Sequence, residues 1–126
     1  MKLEILTGEY SVCRLSPDAN IPKWALSHFS SITRTGHELS IVCRSQAIPD
    51  GVQREDGWKL FRIAGQLEFS MIGVIAAISK VLCEASISIF VISSFDTDYV
   101  MVKADQFAHA AESLTAAGYT FQDLSN

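Results

Sequence analysis

A chain of 126 residues with 48% hydrophobic and 19% charged side chains has the composition of a globular protein, long enough to bury a core without staples. Its net charge of −4, with ten Lys and Arg residues that form no run, leaves no basic track for a nucleic acid or an anionic membrane surface. Cys13, Cys43 and Cys83 include no CxxC pair, so neither a zinc knuckle nor a dithiol redox site is indicated. They lie in apolar stretches and read as small buried hydrophobes.

The N-terminal Met1-Lys2-Leu3-Glu4-Ile5 enters a strand pattern at once and has no signal-peptide core. With reduced thiols, this predicts a cytoplasmic protein. Lys2 to Leu6 and Tyr10 to Leu15 read as strands of a hairpin around Thr7-Gly8-Glu9. Pro22 suits the first position of a short helical turn through Lys23, Trp24, Ala25 and Leu26. Trp24 there is expected to cover an open edge of the core. Ser30 to Arg34 and Glu38 to Arg44 flank Thr35-Gly36-His37 as a second hairpin. Ser45 to Gly57, with Pro49-Asp50-Gly51 and a charged stretch after it, reads as a linker.

The second half has a different rhythm. Trp58 to Ala64 alternates as a strand. Gly65 to Phe69 is a loop, and Ser70 is a candidate cap for a helix from Met71 to about Glu84. Gly73, Ser79 and Lys80 interrupt its apolar stretch, which is too short to span a bilayer. Ser86 to Ser93 is rich in β-branched residues and reads as a strand, as does Tyr99 to Val102. Asp105 is a candidate cap for a second helix, with Phe107, Ala110, Ala111, Leu114 and Ala117 on one stripe. Gly118 ends it, and Tyr119 to Leu124 closes the chain as a strand.

The order β-α-β-β-α-β predicts an α+β, ferredoxin-like fold with one antiparallel sheet and both helices on one face. The first half, with its helices shortened, reads as a degenerate copy of the same unit. The expected domains are residues 1–50 and 56–126.

His28, His37 and His109 fall in three different elements and read as surface residues. No metal or other cofactor is expected. The dense polar cluster is Ser93-Ser94-Phe95-Asp96-Thr97-Asp98, at the end of an apolar strand. One reading makes it a tight turn held by Asx hydrogen bonds. A second notes that a strand followed by Asp-x-Asp resembles the opening motif of haloacid-dehalogenase-type phosphatases. That chemistry needs a downstream Lys, an acidic pair for magnesium and a parallel sheet, for which the chain has no room.

Residues Asp56 to Gly118 resemble an ACT domain of the small tandem-ACT type, similar to the arginine-sensing Castor proteins. The likeness rests on Gly57-Trp58-Lys59-Leu60, Gly65-Gln66-Leu67-Glu68-Phe69 and Ile72-Gly73-Val74-Ile75. Above all it rests on the run from Ile87 through Ser94-Phe95-Asp96-Thr97-Asp98 to Val102, where Ser94 replaces the commoner Thr. Glu38 to Cys43 also matches a strand of the family's N-terminal unit.

The resemblance implies a regulatory fold that binds a free amino acid and has no catalytic activity. Ser94, Phe95, Asp96, Thr97 and Asp98 would line the pocket, with Asp98 facing an ammonium or a cationic side chain. Gly65, Leu67, Glu68, Ile72 and Gly73 would form the opposite wall. The start of the first helix would favour a carboxylate. ACT units pair, so a homodimer is expected with the Ser94 to Asp98 turn near the contact. The rival reading is an interaction module that keeps the fold without a ligand. The effector protein and the amino acid stay unnamed at this level.

Overall fold

The computed structural model describes residues 1–26, 28–65 and 72–124. In chain order the elements are β1 (Lys2–Ile5), β2 (Tyr10–Leu15), β3 (Ser31–Arg34), β4 (Leu39–Arg44), β5 (Gln53–Ile63), α1 (Val74–Glu84), β6 (Phe90–Ser93), β7 (Asp98–Lys103), α2 (Phe107–Ala116) and β8 (Thr120–Asp123). The chain divides into two units: Gly8–Trp58, and Met1–Thr7 together with Lys59–Asn126.

In the Gly8–Trp58 unit, the strands run in the order β3-β4-β2-β5. The hairpin around Gly36 forms as expected, with Ser31 opposite Val42 and Arg34 opposite Leu39. Alternation then puts Cys13, Leu39, Ile41 and Cys43 into one cluster with Ala25 and Ile48. Trp24, on the 3₁₀ turn Lys23–Leu26, packs against that cluster.

Two expectations fail here. The strands on either side of Gly8 do not pair with each other: β1 pairs with β5 and β8, and β2 with β4 and β5. Gly8, at φ +92°, turns the chain without closing a hairpin. The expected linker is also partly strand, since β5 begins at Gln53 and its Arg54 and Glu55 lie opposite Cys13 and Val12.

The charges that suggested solvated chain are paired instead. Arg54 Nε lies 3.1 Å from Asp56 Oδ1, and the same carboxylate accepts from Ser11 Oγ. Ser11 is fully buried and accepts in turn from Ser45 Oγ at 2.6 Å. A buried hydroxyl costs free energy unless it is bonded, and this network satisfies it.

The second unit carries the β-α-β-β-α-β order predicted from residue 58 onward, with β1 added. Leu3 lies opposite Ile63 of β5 and beside Phe121 of β8. The β1–β8 pairing is parallel, which departs from the wholly antiparallel sheet expected. The cause is that β8 adds beside a strand from the chain start, where the domain boundaries read from sequence had placed β1 with the first half. β7 pairs with β5 and β6.

Apolar residues at helical spacing on α1 and α2 meet the sheet. Ile78, Leu82, Ala110 and Leu114 are fully buried with Leu3, Phe61, Val100 and Val102. Phe61, Phe107 and Phe121 form an edge-on triangle, with centroids 6.5, 5.5 and 6.0 Å apart, a geometry that suits aromatic quadrupoles.

Helix α1 starts at Val74, with Gly73 before it at φ +81°. The predicted Ser70 cap and Met71 lie outside the described residues. Asp105 sits in a 3₁₀ turn, Ala104–Gln106, and Gln106 occupies the position before α2. Gly118, at φ +101°, ends α2 as predicted, and Tyr119 N–H donates back to the Leu114 carbonyl at 3.0 Å. Ile87, expected in a strand, closes α1 instead, its N–H donating to the Leu82 carbonyl at 2.9 Å. Among the described residues, no helix is long and apolar enough to cross a membrane.

Candidate functional site

Strands β6 and β7 form a hairpin whose register runs from Phe90 opposite Met101 to Ser93 opposite Asp98. The Ser94-Phe95-Asp96-Thr97 loop is closed by its own polar groups. Ser94 N–H donates to the Thr97 carbonyl at 2.9 Å. Ser94 Oγ donates to the same carbonyl at 3.0 Å and accepts from Thr97 N–H at 3.3 Å. Hydroxyls that mimic a backbone turn in this way explain why the segment is rich in Ser and Thr.

The loop is also tied to the sheet. Thr97, 5% exposed, donates through Oγ1 to the Ile63 carbonyl at the end of β5, at 2.9 Å. Phe95 and Asp96 remain on the outside, Phe95 at 74% exposure. Asp98 is half-buried and accepts from Ser93 Oγ at 2.6 Å. Among the described residues it forms no ion pair.

Backbone bonds gather further segments at this end of the sheet. Ala64 N–H donates to the Lys2 carbonyl at 2.9 Å, and Thr120 N–H to the Met1 carbonyl at 3.1 Å. The turn, Gly65, the start of β1 and the start of β8 therefore share one end. A groove of about 360 Å³ also opens in this unit, between the start of α1 (Ile72, Gly73, Val74, Ala77) and the end of α2 (Ala117, Gly118), with Met1 and Tyr119 completing its wall.

Of the residues singled out in the sequence, the structure brings Ser94, Thr97 and Asp98 together in one hydrogen-bonded turn. Gly65 follows the strand that Thr97 grips, at φ +80°. Ile72 and Gly73 line the groove between the helices, Ile72 at 91% exposure. Leu67 and Glu68 lie outside the described residues. Ser93 was named in the polar cluster but given no role. The signal for it is the hairpin register, which sets it directly opposite Asp98 on the same face.

Residues 53–116 match the family profile described as the ACT domain, a span running from β5 through α2. The chain belongs to the ACT-domain family. In this ACT protein, residues 8–51 match a second profile, described as an N-terminal domain.

A solved protein from Agrobacterium tumefaciens is 38% identical, with a TM-score of 0.91 over 99% of this chain and 94% of that one. A Vibrio cholerae protein, described as of unknown function and a possible transport protein, is 21% identical at a TM-score of 0.75, covering 91% and 88%. The ligand-free regulatory subunit of aspartate kinase from Thermus thermophilus is 13% identical at a TM-score of 0.60, covering 88% and 93%. The last two share the ACT protein's fold. No curated protein sequence matches it.

Proposed function

We propose that this chain is a non-catalytic regulatory protein that binds a free amino acid at the Ser94–Asp98 end of its ACT domain. The observation that carries the reading is the Asp98 carboxylate, half-buried where a strand begins and forming no ion pair among the described residues. A nearby cation favours the charged form of such a carboxylate, and among the described residues none is paired with it. Fold kinship with the regulatory subunit of an aspartate kinase supports a regulatory role, as does the resemblance of the Ile87 to Val102 run to the small tandem-ACT and Castor proteins.

In this reading Asp98 faces the ligand's ammonium or a cationic side chain, and Ser94 with the backbone near Phe95 and Asp96 holds the remainder. Thr97 keeps the turn in place. Gly65, Leu67, Glu68, Ile72 and Gly73 supply the opposite wall, and the start of α1 favours a carboxylate. The Gly8–Trp58 unit is then a shortened ACT-like repeat, and the protein works in the cytoplasm as a homodimer with the turn near the contact.

A thermal-shift screen of the twenty amino acids tests the function. An amino acid at 100 times its dissociation constant adds about 2.7 kcal/mol to stability, so a binder raises the unfolding midpoint clearly. The exposed Ile72 and Phe95, at 91% and 74%, favour a second reading, an interaction module without a ligand. No shift with any amino acid, together with self-association in sedimentation, would support that reading against ours.

A further inference from the structure

Ser93 and Asp98 close the β6–β7 register as a facing pair, and Ser93 Oγ donates to Asp98 Oδ1 at 2.6 Å. The bond has a direction, because an ionised carboxylate only accepts. The hydroxyl proton is thereby committed to Oδ1, while the hydroxyl oxygen keeps its own lone pairs. Acceptors of different origin remain side by side: both Asp98 oxygens, Oδ1 with one lone pair taken, and Ser93 Oγ. Ser93 is exposed and Asp98 half-buried, so a ligand can reach both.

Resting on the reading of this turn as an amino-acid site, we infer that Ser93 is a specificity-determining residue that makes the site select an aliphatic ammonium over a guanidinium. An ammonium is a compact charge with three donors that diverge, and it is met by single acceptors from separate side chains. A guanidinium is a planar fork that pairs best with both oxygens of one carboxylate at once. Ser93 takes one of the lone-pair sites on Oδ1 and crowds the fork's approach to that oxygen. It also holds the carboxylate in one orientation before any ligand arrives, which lowers the ordering cost of binding. The ligand's α-ammonium is the group that this pair takes.

The test uses the full chain and the twenty amino acids as probes, followed by calorimetry with each binder and with its N-acetyl form. Wild-type protein is expected to bind at least one free amino acid, and N-acetylation should weaken it by more than about tenfold, as expected when a hydrogen bond to a charged group is lost. Ser93→Ala should weaken binding about three- to tenfold, the range of one lost hydrogen bond. Its unfolding midpoint without ligand should match wild type, and Ser93→Thr should restore affinity. Equal binding by Ser93→Ala, or by the N-acetyl form, overturns the inference and leaves the amino-acid reading standing. Binding of arginine that survives α-N-acetylation overturns the choice of ammonium. Failure of all twenty amino acids to bind wild type removes both.

Discussion

Thr97 Oγ1 donates to the Ile63 carbonyl at 2.9 Å, joining the β6–β7 turn to the end of β5 across 34 positions of sequence. Both groups are out of water, so removing the donor leaves a buried carbonyl unsatisfied. Thr97→Val keeps the shape and loses that donor. We expect it to destabilise the protein by about 1–3 kcal/mol, read as a lower urea midpoint with an unchanged slope. Thr97→Ser should recover most of the loss.

The thiols separate by burial. Cys43 is fully buried, and loss of solvation, with the neighbouring Cys13 adding to it, pushes its pKa up to about 11. Burial likewise raises the Cys13 thiol, while Cys83 is exposed. Thiolate is the reacting form, so at pH 8 a thiol reagent should label one of the three cysteines in the folded protein, and all three in denaturant. A group whose folded pKa is raised gives stability below its unfolded pKa, roughly 8.5 for cysteine. That stability is lost as the pH climbs towards 11. Cys43→Ala should remove part of this alkaline sensitivity in urea titrations at a series of pH values.

Glu4 shows the opposite sign. Arg62 Nε donates to Glu4 Oε1 at 3.0 Å, and Gln122 Nε2 donates to Oε2 at 3.1 Å. The Arg62 hydrogen bond, against partial burial, holds the Glu4 carboxyl below its usual range. Stability from a lowered carboxylate is present above the unfolded value, roughly 4.3, and is lost as the pH falls through the lowered one. Glu4→Gln should therefore be less stable than wild type at neutral pH, and the two curves should converge in acid.

The sequence discloses most where a local rule has a local cause. Gly118 ends α2 because only a left-handed residue suits that position, and the Ser94–Thr97 hydroxyls announce a turn that they then build. From Phe90 to Val102 the motif carrying the ACT resemblance falls on the β6–β7 hairpin. What stayed hidden depends on distant partners. Arg54 and Asp56 looked like solvated charges because Ser11, which joins them to Ser45 in one network, lies 45 positions from Asp56 in sequence. Lys2–Ile5 looked like half of a hairpin because its partners, β5 and β8, come more than fifty residues later. Ser93 stood in the polar cluster without a role, because its meaning comes from facing Asp98. Leu67 and Glu68 fall outside the described residues, so that wall of the site rests on resemblance.

The central claim is that Asp98 receives the charged group of an amino acid, and calorimetry on wild type and Asp98→Ala tests it most directly. With the strongest binder from the amino-acid screen, the variant should lose about 1.5–3 kcal/mol of binding free energy, roughly ten- to hundredfold in affinity. Its fold, followed by circular dichroism, should be unchanged. A folded Asp98→Ala that binds the same amino acid as tightly as wild type would contradict the account.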